Sequence, residues 1–435
     1  MNEALTVRKT GQKTAISSTV NGGVPRSAYI HIPFCRRRCY YCDFPISVLG
    51  NKTDINTSAM IKNYVEVLCQ EICATPALGQ PLETVFFGGG TPSLLPVPYL
   101  KQILTVLSQH FGITSEAEIS LEIDPGTFTE DQLQGYLQAG VNRVSLGVQS
   151  FDDRLLQICG RFHTQKDIFT AVDVIRRLEV PNFSLDLISG LPHQTLEQWQ
   201  YSLTQAIIIA PNHLSCYDLV LEPVTAFGKF YQPGEKPLPS DEMTAKMYRT
   251  AQQFLTQAGF NHYEVSNYGQ PGYQCRHNRV YWENRAYYGF GMGAASYVNL
   301  QRFTRPKTRR EYYTWVEQLI DSQGKIDCSP TPSGDQLLET LMLGLRLAEG
   351  VDLSVLTQQY GEAILNAICQ SLSPYSRQGW IEGIDQQGKK LDFKDINDFY
   401  RLKRIRLTDP DGFLFSNTIL STLFKNLSEL ECLEV

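Results

Sequence analysis

A chain of 435 residues, 42% hydrophobic and 11% aromatic, is long enough for one large α/β domain and a smaller companion. A formal net charge of −6 excludes the global basic field of a nucleic-acid-binding protein, and no apolar run approaches the roughly 20 residues of a membrane span. Eleven cysteines, scattered singly apart from Cys69 with Cys73 and one tight group, exclude a disulfide framework and predict a reducing, cytoplasmic setting.

Residues 1–25 are polar, contain Gly22 and Gly23, and lack a hydrophobic signal core. They read as a floppy tail, with Arg8, Lys9 and Lys13 leaving an organellar leader as the other reading. The β-prone segment Ser27-Ala28-Tyr29-Ile30-His31-Ile32 is stopped by Pro33 and feeds Cys35-Arg36-Arg37-Arg38-Cys39-Tyr40-Tyr41-Cys42, spaced C-x3-C-x2-C. Three thiols within eight residues cannot share one face of a helix or strand, so they converge from a loop. Two metal chemistries suit such ligands. One is structural zinc completed by a distant His or Cys; the other is a [4Fe–4S] cluster with one iron left open to a small molecule. Arg36, Arg37 and Arg38 read either as a solvated loop tip or as a dock for an acidic electron donor such as a flavodoxin or ferredoxin.

Further along, residues 57–76 are predicted helical, with Cys69 and Cys73 read as core packing. Glu83-Thr84-Val85-Phe86-Phe87 is a buried strand that ends in Gly88-Gly89-Gly90-Thr91-Pro92-Ser93. Residues 97–110 form a helix, and Glu118 to Ile123 a strand stopped by Asp124-Pro125-Gly126. Thr129 with Gln132 opens a capped helix that stops at Gly140. Residues 142–147 are a strand leading to Gln149, and 164–179 a helix. Phe183 to Ile188 is a strand closed by Gly190-Leu191-Pro192. Thr195 with Gln198 opens another helix, whose Leu196, Trp199, Leu203 and Ile207 share a face. Leu214 to Leu219 is the sixth strand.

Six strands alternating with helices imply a parallel sheet. An open doubly wound sheet fits that pattern too. The polar residues favour a barrel, because nearly every strand delivers one at or just past its C-terminal end, where barrels place their chemistry. The predicted fold is therefore a partial (β/α)6 TIM-type barrel over 26–260. Residues 261–330 form an irregular aromatic extension. Residues 331–435 are expected to form a winged-helix-like α+β module. Its expected helices are 334–347, 352–360, 362–373 and 418–424, with strands at 404–407 and 413–415. Its acidic end argues against DNA.

Gly-Gly-Gly-Thr-Pro at a strand end reads as a tight turn or as bare backbone that lets a ligand approach closely. Placed after the second strand, together with C-x3-C-x-Y-C, it resembles the radical S-adenosylmethionine superfamily. That resemblance implies a [4Fe–4S] cluster on Cys35, Cys39 and Cys42. It also implies S-adenosylmethionine chelated at the open iron, where reductive cleavage yields a 5′-deoxyadenosyl radical. The chain is most similar to the oxygen-independent coproporphyrinogen dehydrogenase-like group. There, Tyr29, Tyr41, Gly89, Gly90, Thr91, Glu122, Gln149, Arg161, Asp186, Val220 and Ala295 match positions that touch S-adenosylmethionine.

His277-Asn278-Arg279-Val280-Tyr281-Trp282 reads, by itself, as a hydrogen-bonded His in an aromatic turn. It also resembles the H-N-x-x-Y-W motif of that group's heme-chaperone branch, which implies His277 as a heme ligand, with Cys275 as a second candidate. Arg302, Arg305, Arg309 and Arg310 are a solvated face or partners for porphyrin propionates. The dehydrogenases carry a fourth cysteine two residues past the triad; here that residue is Phe44, as in the heme chaperones. The resemblance spans roughly residues 26–425. It implies a protein that binds heme and hands it to apo-hemoproteins, with a membrane-associated acceptor and a homodimer left open. The competing implication is oxidative decarboxylation of coproporphyrinogen III.

Overall fold

A computed structural model describes residues 23–50, 55–393 and 396–428. The tail-or-leader expectation for residues 1–22 lies outside the described residues.

The six expected strands are present: β1 (Ser27–Ile32), β2 (Leu82–Gly89), β3 (Ile113–Ile123), β4 (Arg143–Gln149), β5 (Phe183–Ser189) and β6 (His213–Asp218). They pair in parallel and in sequence order, with Tyr29 opposite Phe86, Phe87 opposite Leu121, Ile123 opposite Leu146 and Leu187 opposite Cys216. Helices α1 (Ile55–Ala74), α2 (Val97–Phe111), α3 (Glu130–Gln138), α4 (Asp153–Ile158), α5 (Gln165–Arg177) and α6 (Leu196–Ile209) make the crossovers. Local chemistry fixes where they begin. Thr129 Oγ1 accepts the Gln132 amide, and Thr195 with Gln198 closes a full capping box. Aliphatic residues of both layers, from Ile30 and Leu121 to Leu104 and Ile175, fuse into one core.

After α7 (Asp241–Gln257), the stretch expected as an extension supplies both edges of the same sheet. Strands β7 (Asn261–Glu264) and β8 (Asn267–Gly269) add antiparallel beside β6. Strand β9 (Tyr288–Phe290), which follows α8 (Arg276–Trp282), adds in parallel to the outer side of β1. The sheet order is thus β9-β1-β2-β3-β4-β5-β6-β8-β7, a curved open barrel. No described helix is long and apolar enough to cross a membrane.

The C-terminal domain is α+β. Its helices pack on an antiparallel sheet of Val351–Asp352, Leu402–Leu407, Ile381–Asp385 and Lys390–Leu391, paired in that order. Phe413–Phe415, expected as a strand, instead lies at a short helix, Asp411–Leu414, followed by the helix Ser416–Ser428. There Phe413 sets its ring edge-on to His262 of β7, centroids 5.0 Å apart, so a tertiary aromatic contact overrides local β preference. The same seam carries His262 Nδ1 at 2.8 Å from Asp409, Arg249 Nε donating to Asp411 at 2.8 Å, and the Ala348 amide donating to Tyr263 O at 2.9 Å.

One buried ion pair ties β9 to the rest. Glu71 on α1 and Arg305 have side chains 0% and 1% exposed and meet at 2.7 Å. The other Glu71 oxygen accepts the Gly291 amide at 2.8 Å and the Tyr312 hydroxyl at 2.6 Å. Arg305 also donates to Ser296. With one partner removed, the remaining charge is stranded in the core, which costs about 3–5 kcal/mol. Arg305→Ala is therefore expected to lower the urea-unfolding free energy by that amount, against less than about 1 kcal/mol for a surface pair.

Candidate functional site

The polar residues at the strand ends gather at one mouth. The loop after β1 carries the three thiols, and several bonds fold it back. Ser47 N donates to Pro33 O at 2.7 Å, Leu49 N to Cys35 O at 2.8 Å and Gly50 N to Arg36 O at 3.1 Å. His31 braces it from below. Its Nε2 faces Pro45 O at 2.9 Å, an acceptor only, so that nitrogen carries the proton and Nδ1 accepts from Tyr29 Oη at 3.0 Å. Burial holds His31 neutral, its pKa down at about 4.

Strand β2 runs past the loop on glycine. Gly90 N donates to Ile32 O at 2.9 Å and Thr91 N to Phe34 O at 2.7 Å. A Cβ on Gly90 would stand 2.7 Å from Phe34 O and 3.0 Å from Cys35 Sγ, and one on Gly89, at φ +112°, would strike His31. The open backbone is thus a steric requirement of the thiol loop. Thr91 Oγ1 lies 3.6 Å from Cys35 Sγ and donates to Asp124 at 3.2 Å.

Arg161 crosses the mouth. Its guanidinium donates to Asp124, to Gly147 O at 2.9 Å and to Cys39 Sγ at 3.5 Å, while buried Nε has no partner. Beside it, Gln149 holds φ +64°, an uncommon backbone for a residue with a side chain. A Cβ on Gly147 would stand 3.1 Å from the Gln149 amide nitrogen, so Gln149, Arg161 and Asp124 are packed as one unit. Opposite, Glu122 accepts the Gly89 amide at 3.0 Å. Burial first, then the nearby Asp186, pushes the Glu122 carboxyl up to about 8. Burial likewise raises Asp186 to about 6 against the hydroxyls of Ser215 and Ser145, the latter 2.9 Å away.

One cavity of ≈ 240 Å³ therefore joins Cys35, Cys39 and Cys42 to Tyr41, Gly89, Gly90, Thr91, Glu122, Gln149, Arg161 and Asp186. Tyr29 lines an adjoining cavity inside the barrel. Val220, exposed just past β6, and Ala295, at the start of a hairpin beyond β9, line neither. Sequence reasoning missed Asp124, read only as part of a turn, although an acid directly after β3 was the available signal. It also missed Arg143 and His31, whose roles depend on burial.

The donor set fits an iron–sulfur cluster with an open corner. Among the described residues, no three Cys, His, Asp or Glu side chains are placed to hold a single metal ion together. The nearby thiol of Cys159 is packed in an apolar cluster with Leu155, Ile188, Leu191 and Phe227. Phe44, 54% exposed, stands on the rim of both cavities. Of the loop arginines, Arg38 folds back onto Cys42 O and Phe44 O, Arg36 reaches Gly126 O, and Arg37 lies 4.2 Å over the Phe162 ring.

His277 sits apart, fully buried on α8. Its Nδ1 lies 2.7 Å from Thr84 Oγ1, its Nε2 lies 2.8 Å from Tyr281 Oη, and the ring stacks on Phe86. Burial lowers its pKa to about 3, so it is neutral. Glu118 on β3 accepts the His277 and Arg276 amides at 3.0 and 3.2 Å, anchoring the helix. Cys275 is buried beside it. Two of the basic residues offered for propionates are engaged elsewhere: Arg305 in its core pair and Arg302 in a two-pronged bond to Glu339 at 3.0 and 3.1 Å.

A three-cysteine loop over the C-terminal mouth of an open parallel barrel defines a radical S-adenosylmethionine-type protein. The models of known families agree: "Radical SAM superfamily" matches residues 29–206 and "HemN C-terminal domain" matches 332–387. A protein of Synechocystis sp. named heme chaperone HemW is 49% identical, the alignment covering 93% of this chain and 98% of that protein. The HemW of Bacillus subtilis is 36% identical over 84% of this chain and 97% of that one. Among solved structures, coproporphyrinogen III oxidase HemN of Escherichia coli superposes with a TM-score of 0.74 at 23% identity, over 92% of this chain and 90% of that chain, a likeness of fold alone. The chain belongs to the HemW family of the radical S-adenosylmethionine superfamily, a membership that implies a [4Fe–4S] cluster and S-adenosylmethionine.

The raised Glu122 carboxyl has a measurable consequence. Below its ordinary 4.5 the group is protonated whether folded or unfolded. As pH climbs toward 8, only the folded state keeps the proton, so stability falls. Glu122→Gln in cofactor-free protein should therefore match wild type in thermal melts at pH 4.5 and exceed it at pH 8.5. The expected gain is at least about 1 kcal/mol, roughly one pKa unit.

Proposed function

We propose that this protein is a heme chaperone. It carries a [4Fe–4S] cluster on Cys35, Cys39 and Cys42, binds S-adenosylmethionine at the barrel mouth, binds heme, and passes heme to apo-hemoproteins. The observation that carries this reading is its near-full-length identity to proteins named heme chaperone HemW. Phe44 supports it, since the fourth cysteine of the dehydrogenases is replaced by an apolar ring.

A [4Fe–4S] cluster on Cys35, Cys39 and Cys42 would supply one-electron reducing chemistry to a sulfonium cofactor bound beside it. The chain's own residues do the rest. The carbonyls of Gly89 and Gly90, with the Thr91 hydroxyl, are offered to the cofactor's amino group, and Arg161 to its carboxylate. Asp186 and Glu122 suit ribose hydroxyls and a cationic ligand. Two carboxyls with raised pKa values, at the ends of the alternate strands β3 and β5, suit such a partner. Tyr29, Tyr41 and Gln149 shape the walls, and Val220 and Ala295 complete the contacts from the rim.

His277 is the proposed axial ligand to heme. Its Nε2 is held by Tyr281, so iron reaches it once the Tyr281 ring turns aside. The electron donor is a small acidic protein that docks at Arg36 and Arg37. The competing enzyme reading is tested by giving the reconstituted protein coproporphyrinogen III, a reductant and S-adenosylmethionine. No protoporphyrinogen is expected, and its formation would replace the chaperone reading.

Serine at Cys35, Cys39 or Cys42 is expected to abolish the visible absorbance of the reconstituted cluster while leaving the fold intact by circular dichroism. In heme titrations His277→Ala should weaken binding at least about tenfold. Tyr281→Phe, which frees Nε2 without removing the ring, should bind heme as tightly as wild type or more so. Equal affinities for all three proteins would remove His277 from the heme site.

A further inference from the structure

The inside of this open barrel is polar where closed eight-stranded barrels are packed with branched aliphatics. On β3 and β4 the side chains that face the lumen are Ser120, Glu122, Arg143 and Ser145. Ser184 and Asp186 on β5 and His213 on β6 continue the ring. None is aliphatic, and they bound a cavity of ≈ 190 Å³ directly beneath the mouth. It is deeper than the thiol-lined cavity and shares Glu122 and Asp186 with it. Aromatic rings of Tyr29, Phe86 and Tyr281 close one side.

The floor of this cavity holds a cation with no carboxylate in direct contact, although the nearby charges of Glu118 and Asp186 favour its charged form. Arg143 is 3% exposed, yet among the described residues it forms no ion pair, and its hydrogen bond is from Nη1 to Tyr273 O at 3.2 Å. The two nearest acids are committed elsewhere. Glu118 accepts the amides of Arg276 and His277 and the Cys275 thiol, and Asp186 accepts Ser145 at 2.9 Å on both oxygens. Nearby, the buried Ser120 hydroxyl has no partner at all. A guanidinium carries five donors in a planar fork. The donors of Arg143 other than the one bonded to Tyr273 are turned to the cavity and free for a ligand, and the partnerless Ser120 hydroxyl lines the same space.

We propose that this lumen is a binding site for a small organic carboxylate, held two-pronged by Arg143, hydrogen-bonded by Ser120, and lying with its far end against Glu122 and Asp186. The planar fork selects carboxylate, and the volume excludes a macrocycle. A ligand seated there is stacked under the place proposed for the adenosyl group, so it occupies the position of a second substrate or of an effector. The site itself stands on the cavity and the unpaired cation and does not depend on the heme reading.

The test uses the full-length, cluster-reconstituted protein, with acetate, succinate and inorganic phosphate as probes, by calorimetric titration and thermal melting. A carboxylate is expected to bind saturably and raise the melting temperature, and phosphate to do neither at the same concentration. Arg143→Met should remove the carboxylate shift and weaken binding by roughly tenfold or more. Without ligand its circular-dichroism spectrum should match wild type, so that a lost shift is read on folded protein. Ser120→Val alters no charge or bond, so it keeps the fold while narrowing the cavity; it should weaken carboxylate binding too. Absence of saturable carboxylate binding to wild type, or equal binding by Arg143→Met, would overturn the proposal. So would loss of heme binding in Arg143→Met, which would assign the guanidinium to heme instead. Failure of wild type to bind heme would count against the chaperone reading alone and leave the carboxylate titration readable.

Discussion

The closure of the thiol loop against the end of β1 is the constraint on which the barrel mouth depends. Among its described residues the loop's regular structure is two two-residue strands, Phe34–Cys35 and Ser47–Val48. Its shape comes from a neutral imidazole, His31, wedged between Tyr29 and the Pro45 carbonyl, and from backbone bonds to the glycine run of β2. Burial keeps that imidazole uncharged across the physiological range, so the brace does not loosen with pH. Each of these parts needs the others. The glycines are small because the loop passes over them, and the loop lies there because β2 ends without side chains.

Above that brace the molecule holds electrostatics that the polypeptide alone does not balance. Glu122 and Asp186 face each other with raised pKa values, Arg161 keeps an unbonded Nε, and Arg143 lies below them without an ion pair. In the core the same chain satisfies one buried pair fully, Glu71 and Arg305, with five separate contacts. The contrast within one fold separates charges that organise structure from charges kept for a ligand. The core pair locks α1 to the strand beyond β1, and the mouth stays open in both the steric and the electrostatic sense.

Most of the barrel was legible because its strands are short apolar runs bounded by turn residues, and because Thr129 and Thr195 announce their helices. The site residues at strand ends were legible for the same reason: a polar group after a buried strand has few structural uses. What stayed hidden was non-local. Strand β9 is three residues, with Gly289 inside it and Gly291 after it, and is a strand only because β1 offers it an edge. Phe413 reads as β-forming and is captured by His262 from another domain. Asp124 gains meaning from Arg161, which lies 37 positions away in sequence. Arg143 looks like an ordinary strand opening until the lumen around it proves to contain hydroxyls instead of aliphatics.

Helix α8 joins these themes. Glu118 holds its first amides, Thr84 holds the His277 ring, and Phe86 stacks beneath it, so β2 and β3 fix three sides of a seven-residue helix. The fourth side is Tyr281. Its hydroxyl occupies His277 Nε2 while its ring forms part of the lumen wall, in the same cavity as Glu122 and Tyr29. A turn of that one ring would expose the imidazole and reshape the lumen in a single movement. The proposed heme ligand and the proposed lumen site therefore share one wall, the Tyr281 ring. Whatever fills the lumen against Tyr281 holds the ring in place and keeps the imidazole covered, and whatever draws the ring outward opens the floor of the mouth.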